Sequence, residues 1–334
     1  MSPIDYAPFK LLDWIAPEDL DWVVLSGNPK AVQLWTQKIS KANQLKLLSD
    51  SDSDSDSDYD FELEFYSESI WYNLSLNPNA IPLLEENADN ICWTGLSGNP
   101  NAIHLLEQNQ DKINWNMLSE NPNAIHLLEQ NQDKINWRNL SKNPNAIHLL
   151  SPNLDRLYND WKGLSSNTNP MALNLLMRDT WKIDWDELCL HTDDMNFLEK
   201  HHYDIEWDSL SKNPNAIQFL EKYSYNIDWD KLSSNPKAIH LLEANPDKIN
   251  WRELSSNPNA MNLLKDNQEK IDWTSLSSNP SIFEIDHEPY DNSLDDNHQN
   301  ETHNDIVEVD EDNSDDDSLD EQSSNQKNYS GVFH

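Results

Sequence analysis

Cys189, His191, His201 and His202 are the residues of this chain whose types best suit chemistry, because zinc takes thiolate sulfur and imidazole nitrogen as ligands. Their spacing, C-x-H-x9-H-H, matches no common zinc pattern, and residues two apart point to different sides of a helix. A second set, His104, His126, His148 and His240, falls at one repeating position, which would suit a metal ladder or a pH sensor. That position holds Gln33, Pro82, Asn174, Gln218 and Asn262 elsewhere, so it tolerates polar variety and reads as a solvated surface ladder. No phosphate-binding glycine loop, G-x-S-x-G or H-E-x-x-H occurs, and serines and carboxylates recur at repeat positions instead of converging. The sequence predicts a non-enzyme with no metal and no cofactor.

These residues sit in a periodic frame. A unit written W-x-x-L-S-x-N-P-N-A-I-x-L-L-E-x-N-x-D-K-I-N places tryptophan at 71, 93, 115, 137, 161, 185, 207, 229, 251 and 273, with seven steps of 22 residues and two of 24. An eleventh copy begins at Trp22, and residues 39–49 keep an apolar rhythm without the tryptophan or the Asn-Pro. A fixed period of this size is the signature of stacked supersecondary units.

Each unit reads as two short helices. In Asn99-Pro100 the proline suits the first helical position and forces extended geometry on the residue before it, so Asn99 is expected to cap a helix starting at Pro100. Ala102, Ile103, Leu105 and Leu106 give that helix an apolar stripe, and Trp93 with Leu96 forms the face of a preceding turn or two. Such helices are too short to be stable alone, so stacking must hold them. The leucine-rich alternative lacks its L-x-x-L-x-L-x-x-N strand signature. The expected fold is all-α, an α-solenoid of about eleven two-helix repeats. Ten contiguous copies at roughly 8–10 Å per packed helix would make a rod or superhelix about 90–100 Å long. Residues 1–21 are expected to cap it, followed by first and degenerate repeats at 22–49, an acidic Ser/Asp insertion at 50–68, ten contiguous repeats at 69–283 and a disordered acidic tail at 284–334. The tryptophans are expected to be core.

The phrase Leu-Ser-x-Asn-Pro-Asn-Ala-Ile-His-Leu-Leu-Glu, at 96–107, 118–129 and in part at 140–150, resembles the repeat of a protein family encoded by giant DNA viruses of the mimivirus type. The resemblance covers about residues 10–283. It implies a viral origin, an infected amoeba as the setting and an α-helical repeat protein that binds other proteins, and it carries over no activity. The Trp185 copy departs from the pattern, with Cys189-Leu190-His191-Thr192-Asp193-Asp194-Met195 where Leu-Ser-x-Asn-Pro-Asn-Ala belongs.

The net charge of −37 is concentrated at 50–68, with nine acids, and at 284–334, with seventeen acids against Lys327 alone. Segments so charged and so poor in apolar residues are expected to be disordered. Within the tail, Ile306, Val307 and Val309 precede an acidic run and resemble a SUMO-interacting motif, in which a peptide adds a strand to a sheet edge. Ser51, Ser53, Ser55 and Ser57 alternate with Asp in a context resembling casein kinase 2 sites. Cys92 and Cys189 imply no disulfide framework, no leader is visible at the N-terminus, and no apolar run nears the ~18 residues of a membrane span. These features predict an intracellular protein of the host cytoplasm, viral factory or virion. Lacking a basic surface, it is not expected to bind nucleic acid.

The expected function is a protein–protein interaction scaffold. The expected contact positions are His104, His126, His148, Gln218, His240 and Asn262, with the neighbouring Glu107, Glu129, Glu221 and Glu243. The alternatives are sequestration of basic proteins by the acidic segments, or a structural role in the virion or viral factory.

Overall fold

The structure is a computed structural model and describes residues 9–48 and 67–286. A representative unit contains a first helix, Trp93–Gly98, a turn through Asn99 and Pro100, a second helix, Ile103–Gln108, and a 3₁₀ turn, Gln110–Lys112. Asn114 opens the next unit, its Oδ1 accepting from Met117 N at 3.2 Å to cap the helix Trp115–Glu120. Asp21, Asn136, Asp184, Asp228, Asn250 and Asp272 cap their helices in the same way. Leu96, Ala102 and Leu106 are fully buried, and their equivalents recur along the array as one continuous core.

Asn99 has a different role from the expected one. Proline does hold it extended, and its Oδ1 accepts from Asn101 N at 2.9 Å, but the helix begins at Ile103 rather than Pro100. Pro100 to Ala102 form a turn closed by Ala102 N on Asn99 O. The carboxamide N–H₂ of Asn99 reaches across to the preceding unit and donates to the carbonyls of Ser75 and Asn77, both at 2.9 Å. Asn77, Asn121, Asn143, Asn167, Asn213, Asn235, Asn257 and Asn279 repeat this bridge, each buried. Two buried backbone acceptors per seam are thereby satisfied by one side chain, which fixes the register of the stack. Ser97 adds a second rung: its hydroxyl donates to Trp93 O and accepts from Asn114 N.

Both ladders continue from the last unit to the first. Asn28 Nδ2 donates to the carbonyls of Ser277 at 3.2 Å and Asn279 at 3.1 Å, and Asp21 N donates to Ser277 Oγ at 2.8 Å. The helix Trp22–Leu25 packs against both Glu68–Leu76 and Trp273–Ser277. Strand Phe9–Leu11 pairs antiparallel with strand Phe283–Ile285, Lys10 opposite Glu284, and Leu12 N donates to Ile282 O at 2.9 Å. Residues 9–48 and 67–286 therefore form a closed ring of eleven units, and the expected open rod is corrected. At roughly 8–10 Å per packed helix, that contour becomes a circumference of about 90–110 Å. Eleven units sharing one full turn rotate by about 33° each on average, the kind of small per-unit turn that gives solenoids their curvature.

The sequence-based boundaries change with it. Residues 9–21 cap no open end, because they bond to the last unit. Val32–Leu48 is one continuous helix rather than a second helix plus a degenerate copy, and Asn77 bridges directly to the carbonyl of Asn28. The tail boundary also moves, since Glu284 and Ile285 belong to the closing strand. Among the described residues no helix is long and apolar enough to cross a membrane.

The tryptophans are less buried than a core role requires. Trp71 and Trp161 are buried, but most, such as Trp93, Trp115 and Trp251, are half-buried with one ring face against the core. A cation lies over the ring in many units: Lys112 over Trp93 at 4.5 Å, Lys134 over Trp115 at 4.5 Å, Lys248 over Trp229 at 4.3 Å and Lys270 over Trp251 at 4.5 Å. The lysine stem and ammonium complete the coverage that a small unit cannot supply with apolar atoms alone.

Candidate functional site

The predicted contact positions are all exposed, and seven of them, four histidines and three glutamates, are engaged with a neighbouring unit. His104 Nε2 meets Glu85 at 3.2 Å, His126 meets Glu107 at 2.7 Å, His148 meets Glu129 at 3.0 Å and His240 meets Glu221 at 3.0 Å. Each histidine thus bonds the glutamate of the unit before it, forming a ladder on the second helices that is half open to solvent. Gln218, Asn262 and Glu243 lie exposed at the equivalent positions. Exposed pairs of this kind contribute little to stability.

The candidate metal ligands are not brought together. Cys189 is buried in the first-helix core, where its sulfur stands in for the ladder serine and accepts from Glu206 N. Burial pushes its thiol up to about 11, with the carboxylates of Glu206, Asp186 and Asp208 adding to the effect. His191 is exposed and faces Glu187 at 3.6 Å, while His201 stacks among Trp185 and Phe197. Among the described residues the one close group of three ligand-type side chains is Asp186, Glu206 and Asp208, all exposed on the same edge.

A feature missed by sequence reasoning lies in the 3₁₀ turns. The middle residue of that turn is Asp89, Asp111, Asp133, Asp247 or Glu269 in five units, but Trp181, Tyr203 and Tyr225 in three consecutive ones. These side chains are 78%, 101% and 79% exposed, and Tyr158, at 85%, stands one unit earlier with φ 51°. Four large aromatic side chains therefore project from successive units with most of their ring area in solvent. Beneath them the lysine covers of Trp185 and Trp207 are gone, because Asp204 and Asn226 replace the lysine that ends the turn in five other units. Phe197 now stacks on Trp185, and Phe219 and Tyr223 pack on Trp207, so the arc is backed by aromatic rings. The signal was present in the alignment of the units, as an apolar ring where the repeat specifies an acid.

The edge bearing this arc is charged asymmetrically. Asp184, Asp186, Glu187, Glu206, Asp208, Asp228 and Asp230 come from the caps and first turns of the helices that directly follow the three aromatic 3₁₀ turns. Near Tyr158, a cleft of about 820 Å³ is lined by Arg138, Arg156, Lys162 and Lys182, and three of these are already paired, Arg138 with Asp160, Lys162 with Glu187 and Lys182 with Asp179. The SUMO-like Ile306, Val307 and Val309, the serines at 51–57 and most of both acidic segments lie outside the described residues. No protein-family model matches the chain, and neither the curated proteins nor the solved structures compared with it give a match.

Proposed function

We propose that the chain is a non-enzymatic interaction scaffold, a closed ring that presents its units to a protein partner. The observation that supports this reading is the arc of Tyr158, Trp181, Tyr203 and Tyr225, since exposed aromatic side chains in register are costly to leave in water and are the commonest anchors of protein interfaces. The acids around the last three of them favour a partner segment carrying Arg or Lys between apolar side chains, with cations meeting the carboxylates and stacking on the rings. The His–Glu ladder is a second, polar face for the same partner. In this reading the protein works inside an infected host cell, as its repeat resemblance implies.

The test compares proteins retained from host lysate by the full chain, by a Trp181→Asp/Tyr203→Asp/Tyr225→Asp variant, by a His104→Ala/His126→Ala/His148→Ala variant and by a chain ending at residue 286. Specific partners kept at high salt by the full and shortened chains and lost with the three aromatic rings support the arc. Partners unaffected by the aromatic changes but lost with the tail or with salt would transfer the function to the acidic segments, the competing reading, because screened polyacid contacts fade over a Debye length of ~8 Å.

A further inference from the structure

Thr192 occupies the ladder position that asparagine holds in the ten other units. Its carbonyl accepts from Asn213 Nδ2 at 2.7 Å, and its Oγ1 accepts from Asp194 N at 3.1 Å, just as Asn99 Oδ1 accepts from Asn101 N. Threonine has no carboxamide N–H₂, however. The carbonyls of Ser165 and Asn167, which the next unit's asparagine would bridge, receive no side-chain donor among the described residues, whereas the equivalent Ser141 and Asn143 carbonyls are held by Asn167 at 2.8 and 3.1 Å. The outer rung changes in the same way. Asn101, Asn123, Asn145 and Asn169 each donate Nδ2 to the proline carbonyl of the unit before, but Asp194 stands at that place, and its carboxylate, which accepts from Phe197 N at 2.9 Å, has no N–H to offer Thr168 O.

A cleft of about 470 Å³ opens at this seam, lined by Ser165, Asn167, Thr168, Thr192, Asp193 and Asp194 among others. Its polar inventory is strongly biased: three backbone carbonyls without their usual donor, and two exposed carboxylates that replace a proline and an asparagine. A ligand complementary to it brings several N–H donors and positive charge.

We propose that this cleft is a guanidinium site. One planar N–H₂ of a guanidinium has the trigonal geometry of the carboxamide it replaces and can bridge the carbonyls of Ser165 and Asn167. Its remaining N–H groups and charge then meet Thr168 O and the carboxylates of Asp193 and Asp194. A lysine ammonium, a point charge without the planar fork, reproduces only part of this arrangement. The site belongs to the turn that ends a first helix, whereas the aromatic arc belongs to the turns that follow the second helices, so the two stand or fall separately.

The experiment is a calorimetric titration of the full chain with Nα-acetyl-arginine-N-methylamide, its lysine counterpart and free L-arginine. The arginine derivative is expected to bind at least fivefold more tightly than the lysine derivative. Thr192→Asn, which supplies the chain's own N–H₂, is expected to abolish binding, and Asp193→Asn, at an exposed position, to weaken it at least threefold. No preference for arginine over lysine, or unchanged affinity in either variant, overturns the proposal. Tighter binding of free L-arginine than of the blocked derivative would assign the site to the free amino acid, and the reverse order to an arginine side chain within a polypeptide.

Discussion

Asn28 donates its side-chain Nδ2 to the carbonyl of Asn279 at 3.1 Å, joining residues 251 positions apart with the same bond that Asn99 makes to Asn77, 22 positions away. The seam between the first and last units is therefore built like the interior seams. An open solenoid leaves two terminal faces that need polar caps; this ring covers each with the other.

Equivalence of the seams gives the first prediction. Asn28→Ala and Asn121→Ala each strip two buried carbonyls of their donor, at about 1–3 kcal/mol per unsatisfied group. Urea denaturation should show comparable losses for the two variants. A much smaller loss for Asn28→Ala would mean that the ends are only loosely joined.

Closure also makes residues 9–48 a wedge between two neighbours. A protease site placed within 49–66 should, after cleavage, leave the N-terminal fragment bound to the rest through size exclusion without denaturant. Release of that fragment would contradict the ring.

On the proposed reading the aromatic arc serves binding, and the fold does not depend on it. Trp181→Asp, Tyr203→Asp and Tyr225→Asp restore the residue type of the other units at exposed positions, and each should alter stability by no more than about 0.5 kcal/mol. Losses of 2 kcal/mol or more in thermal unfolding would show that these rings hold the fold together.

Cys189 should resist alkylation in the native protein at neutral pH, because burial holds its thiol neutral and inaccessible, and react once the chain unfolds. The linked stability is whole below the ordinary thiol value of 9.0 and is lost as pH rises towards about 11, since the unfolded chain ionises first. Cys189→Ser, which restores the ladder hydroxyl, should remove that alkaline loss. Native-state labelling of Cys189 at pH 7 would refute the burial argument.

Asp272 behaves in the opposite sense. The backbone N–H and hydroxyl of Ser275 bond its carboxylate and hold its pKa below the ordinary value of 3.8. The cap's charged contribution is present above that value and disappears as pH falls through the lowered one. Asp272→Asn, the residue type that caps at Asn114 and Asn250, should keep most of the stability and lose this acid dependence. Asp272→Ala should cost about 1 kcal/mol at neutral pH.

The sequence by itself determined the unit. Proline forces Asn99 to be extended, the Leu-Ala-Leu pattern dictates which faces are buried, and the tryptophan register counts the copies, all through interactions within about one period. Local constraints of that kind are written in neighbouring residues. The tertiary structure decided what the asparagine amide bonds, that the Cys–His group stays dispersed and that the stack closes. The amide's partners lie in the preceding unit and only stacking brings them within reach, so local rules assigned Asn99 to a helix cap. Closure depends on a rotation of about 33° per unit accumulating over eleven units to a full turn, and an error of three degrees in each would leave the ends apart. No residue encodes that angle alone. It emerges from the packing of every first helix on the next, and it brings Asp21 to Ser277.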